Sequence, residues 1–385
     1  MEPNTEPKLN KNRTMLWFVV IAVIVAGVFV MNRQKESGAI KIGVLSILSG
    51  DGAAWGESAK RGFDLAVEEY NNQAVQSGGR RIDLVYENTN GETKLAVTGY
   101  KKLVEIDKVF AVLGPLFQAE VAAVAPLVGE DNLPVITPSY APIQNRQNPR
   151  NPLMVWMDPT IEAKRMAEYV FSQGVRSVAV LGTKDSWENE VSEAFASAFA
   201  EIGGSITAKE IVQTDVSDVK ADITKLVVGK KPEAVFLGTY YQFINALKTL
   251  KDFQYKGKIY GIEVDSYLAV ETKPRSDGIE FIAPDFYTSD FMEKFQNRYG
   301  EKPGIPAGQA YDAANILFSL IAKEKTADGI ISEMRKVKSY NGVSGSIEFT
   351  QDNKTLFPTA IFVVKDGTVK KLEQGKTATT TKTSS

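Results

Sequence analysis

Glu263-Val264-Asp265 sets two carboxylates two residues apart just after a short apolar run, and alternate residues of an extended chain share one face. The pair reads either as two converging acids or as two solvated loop residues. Two tryptophans also stand in loop-like settings, Trp55 before Gly56 and Trp187 in Lys184-Asp185-Ser186-Trp187-Glu188. Such rings can stack on a flat ligand for ~0.5–1.5 kcal/mol beyond the area they bury, and each is equally explicable as packing. The chain has no Cys and no His, which removes thiolate nucleophiles, disulfides, the common zinc sites and the usual near-neutral base. Catalysis would have to rest on carboxylates, Ser, Tyr or Lys. No G-x-S-x-G elbow, no phosphate-binding P-loop and no G-x-G-x-x-G opening a helix occurs, so the expectation is a protein that is not an enzyme and carries no cofactor and no metal.

The elements that must position these residues alternate. Short β-branched apolar runs at 41–48, 82–87, 109–113, 134–137, 178–181, 234–238 and 259–262 read as strands, with helical periodicity between them. In residues 55–76, Ala59, Phe63, Ala66, Val67 and Tyr70 recur at helical spacing while Glu57, Lys60, Asp64, Glu68 and Glu69 take the other face. Strand and helix in alternation predict an α/β fold of mostly parallel sheets flanked by helices. In such sheets ligands sit beyond the carboxyl ends of the strands, so the loops that follow each strand carry the information.

At 385 residues the chain is long enough for two lobes. Its 45 basic and 47 acidic residues are spread evenly, net −2, which argues against a nucleic-acid partner. Residues 15–31, MLWFVVIAVIVAGVFVM, form an unbroken apolar run at the short end of the range for a spanning helix. Lys8, Lys11 and Arg13 precede it, which favours a cytoplasmic N-terminus over residues 1–14, although Arg33 and Lys35 follow. The run ends without an A-x-A-like site, and an uncleaved transmembrane anchor is preferred to a cleaved secretory signal. Residues 32–39 read as a linker and 374–385 as a Thr/Lys/Ser-rich disordered tail.

Several segments, in order, resemble the type I periplasmic binding proteins, and specifically the branch that binds branched-chain amino acids. They are Lys41-Ile42-Gly43-Val44 leading into Ser49-Gly50-Asp51-Gly52 and Trp55-Gly56, then Gly62, Gly114-Pro115, Leu133-Pro134-Val135-Ile136-Thr137-Pro138-Ser139, Glu201-Ile202-Gly203-Gly204 and Ala310-Tyr311-Asp312-Ala313-Ala314. The resemblance covers about residues 40–373. It implies two lobes built from separate stretches, 40–157 with 284–341 and 158–283 with 342–373. The chain would cross between them near Met157-Asp158, Ala283-Pro284 and Asn341-Gly342. Lobes joined by a few segments can close as rigid bodies about a hinge.

The resemblance also implies site residues. The loop after the third strand would receive a ligand carboxylate at a helix N-terminus, with Gln118 where the family has a Ser, and Pro138-Ser139-Tyr140-Ala141 stands where the family loop runs Pro-Ser/Ala-Ala-Thr, so the Thr hydroxyl is missing here. Trp55 and Trp187 would face each other across the cleft, Tyr240 would be the cleft tyrosine after residues 234–238, and Glu263 or Asp265 would pair with a ligand ammonium. The implied function is an extracytoplasmic, monomeric solute-binding protein, held to the membrane by its N-terminal helix, that delivers a small polar, amino-acid-like ligand to an ABC transporter permease. A sensory receptor without transport is the alternative.

Overall fold

A strand buried on both faces needs apolar residues at every position, and β1 (Ile40–Ser46) obeys: only Lys41 and the preceding loop meet solvent. The computed structural model describes residues 38–50, 52–143, 148–285, 287–350 and 354–372. The expected anchor at 15–31 and tail at 374–385 lie outside them, and no helix among the described residues is long and apolar enough to cross a membrane.

From β1 the chain runs through α1 (Ala53–Ser77), β2 (Ile82–Asn88), α2 (Thr93–Glu105), β3 (Ala111–Leu113), α3 (Gln118–Asp131), β4 (Val135–Thr137) and β5 (Leu153–Met154). These strands pair in parallel in the order β2-β1-β3-β4-β5. The second lobe continues with α4 (Pro159–Ser172), β6 (Ser177–Thr183), α5 (Ser186–Glu201), β7 (Ser205–Val212), α6 (Lys220–Val227), β8 (Ala234–Leu237), α7 (Phe243–Asp252), β9 (Lys258–Ile262), α8 (Ser266–Glu271) and β10 (Glu280–Pro284). The chain then returns to the first lobe with α9 (Ser289–Tyr299), α10 (Ala307–Lys323), α11 (Ala327–Met334) and a small sheet of β11 (Ser339–Gly342), β12 (Gly345–Phe349) and β13 (Thr355–Leu356). It ends in the second lobe with β14 (Thr359–Lys365) and β15 (Thr368–Lys371). The second sheet has the order β15-β14-β10-β9-β8-β6-β7, parallel except where β14 meets β10 and β15.

Alternation splits the second lobe's core in two. Val235 and Leu237 of β8 pack on one face with Leu247 and Leu250 of α7, while Ala234 and Phe236 pack on the other with Phe195 and Phe199 of α5. In the first lobe α1 and α10 cover one face of the sheet, and α2 and α3 cover the other.

The three crossings lie side by side. Thr355 Oγ1 donates to Met154 O, the Asp285 N–H donates to Pro358 O at 2.8 Å, and Arg165 of α4 donates to Phe357 O and Thr359 Oγ1. Two of the expected crossings fall beside these contacts. The third differs: Asn341 and Gly342 sit in the β11–β12 hairpin, whose Tyr340, Val343 and Ile347 pack on the first lobe's core, and the chain joins the second sheet only at β14. A short antiparallel hairpin rich in Ser, Asn and Gly carries too little apolar period to be recognised as part of the first lobe.

Candidate functional site

The loop from β1 to α1 turns under a tight constraint. A Cβ on Gly56 would stand 1.7 Å from Ile47 O, so only glycine lets the first turns of α1 sit against that loop. That packing fixes Trp55, whose ring lies 5.6 Å from the ring of Trp156 at 56°. Trp156 is 5 % exposed and stands where the chain leaves β5 for the second lobe. The Trp55 Nε1 is enclosed and finds no acceptor among the described residues.

A similar close approach shapes the loop after β3, where Gly114 has φ +89° and a Cβ would meet Leu45 O at 2.3 Å. The chain then enters α3 through Phe117, whose N–H donates to Glu120 three residues on at 2.9 Å. Gln118, first residue of α3, is 7 % exposed. Its Nε2 donates to Glu190 Oε2 at 2.9 Å, and the Tyr140 hydroxyl donates to Glu190 Oε1 at 3.4 Å. Glu190 belongs to α5, so these contacts join the lobes. Ser139 is buried beside Tyr140 in the loop after β4.

On the second lobe the loops after β6, β8 and β9 meet. Asp185 caps α5 by accepting from the Trp187 and Glu188 N–H groups at 2.9 and 3.1 Å. The buried Glu188 in turn accepts from the Tyr240 and Tyr241 N–H groups at 2.6 and 3.0 Å, which pins the loop that carries Tyr240. Burial pushes the Glu188 carboxyl up, against the hydrogen bonds that favour its charge. Tyr240 is exposed and donates through its hydroxyl to Asp265 at 3.1 Å; Asp265 also caps α8 through the Leu268 N–H at 2.8 Å.

Glu263 takes a different path from Asp265. Its φ is +47°, so the stretch is not extended there and the alternation that would put both acids on one face is broken. The Glu263 carboxyl meets Glu162 of α4 and accepts from the Trp156 indole. Glu162 is 1 % exposed, and neither Glu162 Oε1 nor Glu263 Oε1 has a donor among the described residues. Burial first, then the neighbouring Glu263, pushes Glu162 well above the usual carboxylate range; burial pushes Glu263 up to about 7. Two buried carboxyls in contact disfavour each other's ionisation, so the pair keeps a proton to higher pH than either acid would alone.

The residues expected from the sequence therefore fall into groups. Trp55, Gln118, Tyr140 and Glu263 join one chain of contacts through Trp156 and Glu190. Tyr240 and Asp265 bond to each other. Trp187 is partly buried against the second lobe's core, and the aromatic partner of Trp55 is Trp156 from its own lobe rather than Trp187. Trp156, Glu162 and Glu190 were not anticipated. Trp156 stood one residue from the expected crossing, which is the one signal that could have found it. Glu190 in the first turns of a helix looks like any acid placed for the helix dipole. No group of three or more His, Cys, Asp or Glu that could hold a metal occurs among the described residues. The assembled groups can hold a small molecule by stacking and hydrogen bonding.

The model of the family described as periplasmic binding protein matches residues 39–368. Among curated proteins the chain is similar to the Leu/Ile/Val-binding protein BraC3 of Rhizobium johnstonii, 25% identical over 204 residues. It is likewise similar to the Leu/Ile/Val-binding protein homolog 3 of Brucella melitensis, 27% identical over 204 residues. Each alignment takes in 52% of this chain and 55% of the relative, so the chain spans about half the length of the curated relatives it matches. Among solved structures it shares its fold with a leucine binding protein, LivK, of Thermotoga maritima: TM-score 0.78, 22% identity, 87% of this chain and 98% of that one.

Proposed function

This chain belongs to the periplasmic binding protein family of type I, and we propose that it captures a small polar, amine-bearing solute between its lobes for delivery to an ABC-type importer. The relatives named above are binding proteins by name, two Leu/Ile/Val-binding and one leucine binding. The observation that carries the proposal is the meeting of Gln118 and Tyr140 from one lobe with Glu190 from the other beside the Trp55–Trp156 pair. Such contacts exist only while the lobes are together. A ligand that touches both lobes stabilises that state by the difference in contacts it makes in the open and closed forms.

In this reading Trp55, Tyr140 and Trp156 supply the aromatic wall, Gln118 and Ser139 the polar floor, and Glu263 the acid for the amine. Trp187, Tyr240 and Asp265 form the rim on the second lobe. The apolar run at 15–31 keeps the monomeric protein at the membrane, with the lobes outside the cytoplasm. The test is a thermal-shift screen of the full chain against amino acids, amines, sugars and aromatic acids, followed by small-angle scattering with each hit. A stabilising solute that also reduces the radius of gyration is expected. Stabilisation with an unchanged scattering profile would count against closure.

A further inference from the structure

We propose that the cleft is built for an organic cation with N–H donors and no carboxylate, a primary ammonium or a guanidinium on an apolar or aromatic body. The inference rests on the solute-binding reading and names the ligand class that this chain's own residues favour.

The first observation is the sign of the unmet polar atoms. Around the contact chain from Gln118 to Glu162, the enclosed atoms without a partner among the described residues are Gln118 Oε1, Glu162 Oε1, Glu263 Oε1 and Trp55 Nε1. Three of the four are acceptors, and buried acceptors call for donors. Gln118 and Glu162 are each more than nine-tenths buried, so water satisfies neither freely.

The second observation concerns the wall where an anion would have to dock. One N–H of the Gln118 side-chain amide is given to the Glu190 carboxylate, and the N-terminal turn of α3 already carries the buried Glu120. A ligand carboxylate at this wall would sit among like charges, Glu190 and Glu120. A cation meets Glu190, Glu263 and the carbonyl oxygen of Gln118 with the opposite sign. The nearby cation on α4, Arg165, has an influence on Glu162, yet its guanidinium is bonded to Phe357 O and Thr359 Oγ1 at the crossings.

Geometry supplies the third. Trp55 and Trp156 stand tilted at 56°, with Tyr140 packed in the same cluster as Trp156, and rings so arranged attract a cation over their faces. The unmet Oε1 atoms of Glu162 and Glu263 are the acceptors a ligand N–H would meet, and a cation bound there favours the ionised carboxyl, so a proton leaves to solvent on binding.

The test is titration calorimetry of the purified full chain with two matched sets: leucine, isoamylamine and isocaproate, and phenylalanine, phenethylamine and hydrocinnamate. The amines are expected to bind at least roughly tenfold tighter than their parent amino acids, with no heat from the carboxylates. Glu190→Gln and Glu263→Gln are each expected to weaken amine binding by roughly tenfold while leaving the ligand-free melting temperature no lower. Repeating the titration in buffers of different ionisation enthalpy should show proton release with the amines. Tighter binding of either amino acid or carboxylate overturns the cation inference and leaves the solute-binding reading intact. Amine binding unaffected by both substitutions, or absent, overturns it as well. Only the failure of every solute in the wider screen would take the solute-binding reading down with it.

Discussion

Gln118 in the first lobe donates through Nε2 to Glu190 Oε2 in the second at 2.9 Å, so the lobes are tied through the side-chain amide at the first position of α3. The tie is partly exposed, and a hydrogen bond to a charged group there contributes on the order of 1 kcal/mol. That is enough to change the ratio of closed to open molecules by about fivefold.

Gln118→Ala should therefore open the ligand-free protein. Small-angle scattering of the unliganded variant is expected to show a larger radius of gyration than the parent, with the melting temperature changed little because both lobe cores are untouched. An unchanged radius would mean that the Tyr140–Glu190 contact and the crossings hold the lobes together without it.

Gly56 offers a test of how Trp55 is positioned. A Cβ there would stand 1.7 Å from Ile47 O, a backbone atom that cannot swing away. Gly56→Ala should cost about 3 kcal/mol or more in denaturant unfolding. Gly78, at the end of α1 with φ +69° and nothing within 4 Å of its would-be Cβ, provides the contrast, since alanine there carries only the left-handed backbone strain of about 1 kcal/mol. Equal losses in the two variants would refute the steric account.

Asp312 of α10 holds the β11–β12 turn to the first lobe. Its Oδ1 and Oδ2 accept from the Val343 and Ser344 N–H groups, both at 2.9 Å, and a Cβ on Gly342 would lie 2.4 Å from the carboxyl. Asp312→Ala leaves two buried donors unmet and should cost about 2–4 kcal/mol; Asp312→Asn keeps one acceptor and should cost less. Urea unfolding of the two variants checks the order, and an Asn variant as unstable as Ala would show that charge rather than hydrogen bonding is what matters.

The resemblance fixes attention on the loops after the strands, and the strands themselves are plain in the sequence because parallel, doubly buried runs such as residues 234–237 leave no polar position. The edge strand β7, the interior strand β10 and the closing strands β11 to β15 were not legible. β7 is only half-buried along most of its length, and β14 is recruited antiparallel from far along the chain, so neither pattern resembles a central strand. Within the candidate site, Trp55 and Gln118, which are placed by their loops, could be proposed in advance. Residues whose role follows from tertiary approach, Trp156, Glu162 and Glu190, could not. Glu263 was named for the right loop with the wrong geometry: a left-handed φ at a non-glycine residue leaves no mark in the composition of its neighbours.

That same backbone turn leads to the last prediction. It brings the Glu263 carboxyl against Glu162, with Arg165 nearby on α4 and the Trp156 indole donating from the crossing. Burial raises Glu263 to about 7, above its value in the unfolded chain. A carboxyl raised in this way contributes stability that is fully present below its unfolded value of about 4.3 and is lost as pH rises through the folded one. The wild-type protein should thus lose stability between about pH 4 and about pH 7, and Glu263→Gln, which cannot ionise, should lose about 1–3 kcal/mol less over the same interval. The chain has no histidine to titrate in this window. Asp312, raised to about 6 by burial, shifts stability in the same direction, as do the raised carboxyls of Glu188 and Asp265. These groups remain in both proteins, so the difference between the two curves isolates the Glu162–Glu263 pair. Guanidinium unfolding across the interval measures it. Parallel curves would mean that the two carboxyls do not share a proton, and a steeper loss in the Gln variant would mean that ionised Glu263 is held by a positive group.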